Sequence, residues 1–235
     1  MKFKLCFPGL TQRSLSVEQR GEGDDVRPCI QGYGAVFYNA TDPGSEFWLW
    51  DDTVEHIMPG AFDNSLARDD VRSFFNHDGN HILGRRKVGG DSNTMALAVD
   101  NIGLQYSIDA DADDPFTQHV LRAIARGDVD GSSFMFRPVE TNWRDEQVEV
   151  NGHNITIYVR EVIDVEMFEV GPVVFPAYES TTAASRSALS RDPMLTRYCQ
   201  WLDSHLSEAR ADFARFQRSR PEAREARSKQ MAAVL

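Results

Sequence analysis

The chain has 235 residues, of which 41% are hydrophobic and 26% are charged, and its formal net charge is −11. These values are typical of a globular protein with one substantial core. No apolar run approaches the roughly 20 residues that a membrane helix needs, and the acidic balance argues against a general nucleic-acid binder. We therefore expect neither a membrane nor a nucleic acid as a partner.

Charge is distributed unevenly along the chain. Residues 186–235 contain ten Lys and Arg but only six Asp and Glu, so this end is basic while the remainder is acidic. A stretch rich in small residues, "ESTTAASRSALSRD", precedes and overlaps the basic end. These shifts predict three parts: an N-terminal arm or first strand at 1–29, a body at 30–184, and a linker with an amphipathic, basic helical tail at 185–235.

The first half of the body has the patterns of strands. "IQGYGAVFYNA" (Ile30–Ala40) is typical of a strand, and Gly32 and Gly34 allow a neighbouring backbone to approach closely. A Pro-Gly break precedes a short predicted helix around Ala61–Arg68. "VRSFFNHD" predicts a strand that ends at residues 76–78, and two or three antiparallel strands follow it.

The clearest predicted helix of the body is "DDPFTQHVLRAIARGD". Asp114 suits the N-cap, Pro115 the first helical position and Gly127 the C-cap. The segment "GDVDGSSFMF" comes next, and its Ser132 and Ser133 would point to opposite faces of a strand. A hairpin with Asn151-Gly152 at its turn follows.

The tail contains a second predicted helix, opened by Asp192-Pro193. Its apolar residues recur at three- and four-residue steps: Leu195, Tyr198, Leu202, Leu206, Ala209, Phe213 and Phe216. Such a stripe needs a partner surface, which is either the body or another protein.

Metal binding is not favoured by the sequence. His77 and His81 have the four-residue spacing of zinc ligands on a helix, but the Gly and Asn between them oppose a helix. The Asp-rich stretch at 109–114 lacks the Gly and Glu of a calcium loop, which favours a solvated loop. Cys6, Cys29 and Cys199 lack metal-type spacing and predict reduced thiols in a cytosol-like compartment.

Acid–base and nucleophilic chemistry have several candidate residues. His77 at a strand end could serve as a general base, although a lone histidine is more often structural. The Ser132–Ser133 pair lacks the Gly-x-Ser-x-Gly frame of an esterase elbow, so the pair taken alone is better explained as turn serines. Glu169 is a single carboxylate in the apolar run "MFEVGPVVFPAY", where it either orients a histidine or lies on an exposed face.

Six segments, taken in their order and spacing, resemble the prohead (procapsid maturation) protease family of tailed bacteriophages. They are "GYGAVF", "EHIMPGAF", "NHD" with "LG" shortly after, "NIGLQYSIDA", "IARGDVDGSSFMF" and "EVGPVVFPAY". The resemblance spans Ile30 to Ala184 and makes this body the protease domain. It implies a serine peptidase distantly similar to the herpesvirus assembly proteases: an α+β fold with a small, mostly antiparallel β-barrel flanked by helices, and a helical C-terminal tail.

The same resemblance implies roles for individual residues. His77 of the "NHD" motif would be the general base and Ser133 the nucleophile. Ser132 replaces an apolar residue of the family pattern, and Met135 stands where a Gly is common. Glu169 is the first choice for the acid that orients the histidine, and Glu166, Asp78 and Asp164 remain alternatives. Backbone N–H groups near Ser133 would form the oxyanion hole, helped by an arginine such as Arg137 or Arg160.

The implied function is a serine endopeptidase that uses no cofactor and no metal. It would cleave scaffolding sequence or an extension of the major capsid protein, and itself, inside the phage procapsid, after residing in the host cytoplasm. Its partners would be the major capsid protein, the scaffold and further copies of itself. Two alternatives stay open: an inactive structural relative, and a metal-dependent hydrolase that uses His77, His81 and the Asp-rich loop.

Overall fold

The computed structural model describes residues 15–21, 26–150, 153–176 and 196–219. Within these ranges the strands are β1 (Ser16–Arg20), β2 (Arg27–Val36), β3 (Phe47–Trp50), β4 (Thr53–Ile57), β5 (Asp70–Phe74), β6 (Ile82–Lys87), β7 (Met95–Val99), β8 (Gly103–Asp109), β9 (Gly131–Val150) and β10 (His153–Val173). The helices are α1 (Asp63–Arg68), α2 (Pro115–Arg126) and α3 (Thr196–Ser219), and a short 3₁₀ turn spans Pro43–Ser45. No helix in these ranges is long and apolar enough to cross a membrane.

The strands form two sheets. The first has the order β1-β2-β8-β7 and is antiparallel throughout. The second has the order β3-β4-β10-β5-β6, and β9 pairs antiparallel with β10 along nearly its whole length. β10 also pairs in parallel with β4 in its first half and with β5 at Glu169.

The mostly antiparallel α+β prediction agrees with this topology, but the predicted β-barrel is wrong. A barrel needs one continuous hydrogen-bonded ladder that returns to its first strand. Among the described residues the ladder is instead divided into two separate sheets. The two sheets bury a shared core that includes Ile30, Phe62, Tyr106, Phe134 and Val170.

Close approach between the sheets occurs at the two glycines of β2, although the atoms that approach them belong to side chains rather than to a backbone. A Cβ atom on Gly34 would lie 2.2 Å from Cγ2 of Val170. A Cβ atom on Gly32 would lie 2.9 Å from Oγ of Ser132. These contacts bring β2 against the segments of β9 and β10 that carry the candidate residues.

The caps predicted for α2 are confirmed. Asp114 Oδ2 accepts a hydrogen bond of 2.7 Å from the Thr117 N–H, Pro115 occupies the first turn, and Gly127 ends the helix with φ 78°. Val120 and Ile124 are buried in the core. α1 begins at Asp63, slightly later than predicted.

The helix of the tail packs on the body. Leu206 and Ala209 of α3 contact Leu49, and Phe213 packs against Trp50 and Tyr158. For this part of the stripe, the partner surface is therefore the second sheet of the same chain. Other expectations lie outside the described residues: residues 1–14, the turn at Asn151-Gly152, the linker at 185–195 with Leu195 and the Asp192-Pro193 cap, the side chains of Tyr198 and Leu202, and residues 220–235.

Candidate active site

His77 lies in a tight loop between β5 and β6. The Phe75 N–H donates to the His81 carbonyl (3.0 Å), and the His81 N–H donates to the Asp78 carbonyl (2.8 Å). Asn76 and His77 have φ angles of 53° and 57°, and they are the only non-glycine residues with positive φ in the described part of the chain. Strained backbone of this kind clusters at functional sites, where the surroundings hold it in place.

A buried pair joins this loop to β10. Nδ1 of His77 contacts Oε2 of Glu169, and both side chains are almost fully buried. The other carboxylate oxygen, Oε1, accepts a hydrogen bond of 3.3 Å from the Phe74 N–H. Because Glu169 binds Nδ1, the imidazole is oriented with Nε2 as the nitrogen that can exchange a proton with a nucleophile.

Strand register places Ser133 on the same face as Glu169. In the β9–β10 ladder, Ser133 lies opposite Gly171 and Met135 lies opposite Glu169. Directly opposed residues share a face, and so do residues two apart on one strand. The Ser133 side chain is buried, and its hydroxyl makes no hydrogen bond to the described residues.

Gly171 has no side chain, and this allows β10 to lie close to the end of β5. A Cβ atom at this position would lie 2.5 Å from the Phe74 carbonyl oxygen and 2.6 Å from Oγ of Ser73. It would also lie 3.3 Å from Oε1 of Glu169. A larger residue would therefore push β5, which leads into the histidine loop, away from β10.

Ser132 points to the opposite face, as strand geometry predicts. Its Oγ lies 2.7 Å from the hydroxyl of Tyr106. Burial raises the pKa of Tyr106 well above its ordinary value, and the nearby Glu169 charge adds to this effect, so the phenol stays protonated. Ser132 is thus bound into the contact between the sheets, while Ser133 faces Gly171 and Glu169.

The alternative acids bind other groups. Glu166 forms an ion pair with Arg137, Asp164 accepts a hydrogen bond from Asn64, and Asp78 accepts from Asn80. Glu169 is the acid that the structure brings to Nδ1 of His77.

Neither candidate arginine is directed to Ser133. Arg160 is fully buried in the other half of β10, where it binds Glu55 (3.0 Å) and Asp212 (2.9 Å). Arg137 is largely exposed and bound to Glu166. Backbone N–H groups near Ser133 remain the donors that an oxyanion could use.

The second histidine of the loop is a packing residue. The His81 ring stacks on Phe116 with 3.9 Å between ring centroids, and its Nδ1 lies 3.3 Å from Asp78. Within the described ranges, no group of three or more His, Cys, Asp or Glu residues could hold a metal ion. The Asp-rich stretch ends in Asp114, which caps α2.

Three groups at the site were not assigned a role from the sequence: Asn76, Gly171 and Tyr106. Asn76 and Gly171 lie within the motifs "NHD" and "EVGPVVFPAY", but a motif alone does not show which atoms meet. Tyr106 follows the alternation of a strand, which indicates burial and gives no sign of its contact with Ser132.

Comparison with known proteins adds one finding. A family model described as caudovirus prohead serine protease matches residues 13–195. This range includes His77, Ser133 and Glu169 and ends just before α3. No curated protein and no solved structure shows significant similarity to the chain.

Proposed function

Since the chain belongs to the caudovirus prohead serine protease family, we propose that it is an active endopeptidase with Ser133 as nucleophile, His77 as general base and Glu169 as orienting acid. The observation that carries the proposal is that Glu169 is related to both other residues, to Ser133 by strand face and to His77 by direct contact. Ser133 and Glu169 share one face of the β9–β10 pair, and the Glu169 carboxylate holds His77 by Nδ1.

The mechanism follows from these positions. Ser133 Oγ attacks the scissile carbonyl while Nε2 of His77 accepts the hydroxyl proton and then transfers it to the leaving amine. Water hydrolyses the resulting acyl-enzyme, with His77 again as the base. Glu169 keeps the imidazole in the required tautomer and stabilises the imidazolium that forms in each step.

The substrates in this proposal are scaffolding sequence or an extension of the major capsid protein, and the protease itself. The family role in phage capsid maturation supports a site of action inside the procapsid, after a period in the host cytoplasm, with further copies of the protease as neighbours. Residues 30–184 would form the protease domain, with a linker and helical tail at 185–235. A distant kinship with the herpesvirus assembly proteases is part of the same proposal.

One observation favours a second candidate, an inactive structural relative. The side chains of His77, Ser133 and Glu169 are all buried, so a peptide reaches them only after some part of the surroundings moves. An active enzyme needs such a movement, whereas a structural protein does not.

Co-expression with the capsid protein encoded by the same phage tests the proposal. Wild type, Ser133→Ala, His77→Ala and Ser132→Ala are compared by intact mass spectrometry of both proteins. We expect Ser133→Ala and His77→Ala to leave full-length masses. Ser132→Ala is the matched control: it removes a neighbouring hydroxyl from the other face of β9 and should still allow processing.

Three results would contradict the assignment. Processing that stops only in Ser132→Ala would exchange the roles of the two serines. Processing that continues in all variants would end the serine-peptidase proposal. Full-length masses with the wild type itself would favour the inactive relative.

A further inference from the structure

The backbone that carries His77 is strained at two consecutive residues. Asn76 and His77 both adopt the left-handed conformation, with φ angles of 53° and 57°. Residues other than glycine rarely adopt this backbone conformation, although asparagine and histidine tolerate it better than most. Contacts elsewhere must therefore hold the loop in this conformation.

Asn76 makes those contacts with the end of β10. Its N–H donates to the Pro172 carbonyl (3.1 Å), and its Oδ1 accepts from the Val174 N–H (2.8 Å). The other backbone hydrogen bonds described for the loop join Phe75, Asp78 and His81 to one another. Asn76 is thus the residue whose backbone and side chain both bind the loop to the neighbouring strand.

The bound end of β10 is also the end that faces the candidate nucleophile. Pro172 lies opposite Ser132 in the ladder, and Gly171 lies opposite Ser133. Glu169, which holds His77, is two residues before Gly171. The two hydrogen bonds of Asn76 therefore set the position of the histidine loop relative to both Ser133 and Glu169.

We infer that Asn76 is a positioning residue for the reaction proposed above, on which this inference rests. It holds the left-handed turn against β10, so that His77 keeps Nδ1 on Glu169 and presents Nε2 toward Ser133. It acts through His77. Because Asn76 is only half-buried and lies outside the hydrophobic core, its replacement should disturb the site far more than the fold.

Three variants separate the contributions of Asn76. Asn76→Gly adopts the left-handed backbone without strain and removes the side chain, so that among the described contacts the hydrogen bond from the Val174 N–H is lost. Asn76→Asp keeps an acceptor oxygen in the same place and also tolerates this region. Asn80→Gly is the matched control, since Asn80 lies in the same loop and binds Asp78 rather than β10.

Three measurements apply to each full-length variant. The first is the rate at which diisopropyl fluorophosphate modifies Ser133, followed by intact mass and peptide mapping. The second is the far-downfield proton resonance of His77 Nδ1–H bound to Glu169, observed in protein labelled with ¹⁵N-histidine. The third is the thermal unfolding curve, which reports the fold independently of the site.

We expect Asn76→Gly to slow the modification of Ser133 by about tenfold to a hundredfold, because a small displacement of the base disrupts proton transfer. The His77 resonance should shift or broaden, while the unfolding transition stays cooperative and close to that of wild type. Asn76→Asp should restore most of the rate, and Asn80→Gly should behave as wild type.

Other outcomes overturn the inference. If Asn76→Gly reacts at the wild-type rate with an unchanged His77 resonance, Asn76 does not position the histidine. If the variant loses its cooperative unfolding transition, Asn76 supports the fold rather than the site. If the wild type does not react with diisopropyl fluorophosphate at Ser133, the proposed function is contradicted instead. In that case the His77 Nδ1–H resonance of the variants still shows whether Asn76 positions the histidine.

Discussion

The adjacent residues Ser132 and Ser133 have the same side chain but lie in different environments. Ser132 is bound to Tyr106 in the contact between the sheets, whereas Ser133 faces Gly171 and the Glu169 side of β10. The difference arises from the pleat of β9, which directs successive side chains to opposite faces. At the scale of the residue, strand parity rather than side-chain chemistry distinguishes the candidate nucleophile from its neighbour.

A buried histidine in β4 has a measurable consequence for stability. His56 is almost fully buried, and its ring stacks on Tyr38 with 3.6 Å between centroids. Burial, reinforced by the charge of Arg144, lowers the pKa of His56 to about 4. The histidine of an unfolded chain has a pKa of about 6.5. The unfolded state therefore binds more protons between these values, and stability falls as the pH drops through this window.

We expect His56→Phe to remove this contribution. The unfolding free energy of wild type should fall between pH 7 and pH 5 by about 2 kcal/mol more than that of the variant. Urea denaturation at the two pH values measures the difference. The control is His119→Phe, which replaces an exposed histidine of α2. If the unfolding free energies of wild type and His56→Phe depend equally on pH, the lowered pKa of His56 is not the cause.

At the scale of the element, a buried ionic network holds α3 on the second sheet. Arg160 of β10 binds Glu55 of β4 and Asp212 of α3, and His205 of α3 lies 3.2 Å from the same Glu55. Burial alone would raise the pKa of Glu55, but His205 and Arg160 hold it below its ordinary value. Glu55 is therefore charged at neutral pH, with the Arg160 guanidinium as its counter-ion and the His205 ring 3.2 Å away.

Removal of the central cation should be strongly destabilising. We expect Arg160→Leu to lower the unfolding free energy by about 3–5 kcal/mol, because it leaves the buried Glu55 with only His205 beside it. Arg137→Leu is the matched control, since it breaks the exposed pair with Glu166 and should change stability by less than about 1 kcal/mol. Urea denaturation compares the two. If both variants lose a similar amount of unfolding free energy, the buried Arg160 pair contributes no more to stability than the exposed Arg137 pair.

At the scale of the whole molecule, the two sheets depend on glycine to pack closely. Gly34 of β2 lies directly against Val170 of β10, one residue after Glu169. A methyl group on Gly34 would overlap the Val170 side chain at 2.2 Å from Cγ2, so the sheets would have to move apart. The separation of the sheets and the position of the candidate site are thus coupled.

A double-mutant cycle measures this coupling. We expect Gly34→Ala and Val170→Ala each to be destabilising, and the double variant to be more stable than the sum of the two changes by on the order of 1 kcal/mol, because the shorter side chain makes room for the added methyl group. Val159→Ala, a buried valine of β10 in a separate apolar cluster, is the control and should combine additively with Gly34→Ala. If the changes in unfolding free energy are additive in both cycles, a methyl group on Gly34 does not overlap the Val170 side chain.

Features that depend on neighbours in the chain were predictable from the sequence. Asp114, Pro115 and Gly127 define α2, because a cap binds backbone groups within a few residues of itself. The opposite faces of Ser132 and Ser133 follow from the period of a strand. The order of the motifs also predicted the family, which the match to residues 13–195 confirms.

Tertiary structure decided the features that join distant parts of the chain. The sequence left four acids open for His77, and the register of β10 beside β5 brings Glu169 to it. The sequence left the partner of the tail helix open, and the burial of Phe213 together with the Asp212–Arg160 ion pair places α3 on the second sheet. The family resemblance implied a barrel, whereas the described strands form two sheets. Local preferences specify each element, whereas pairing between elements depends on contacts between residues far apart in the chain, which no local pattern encodes.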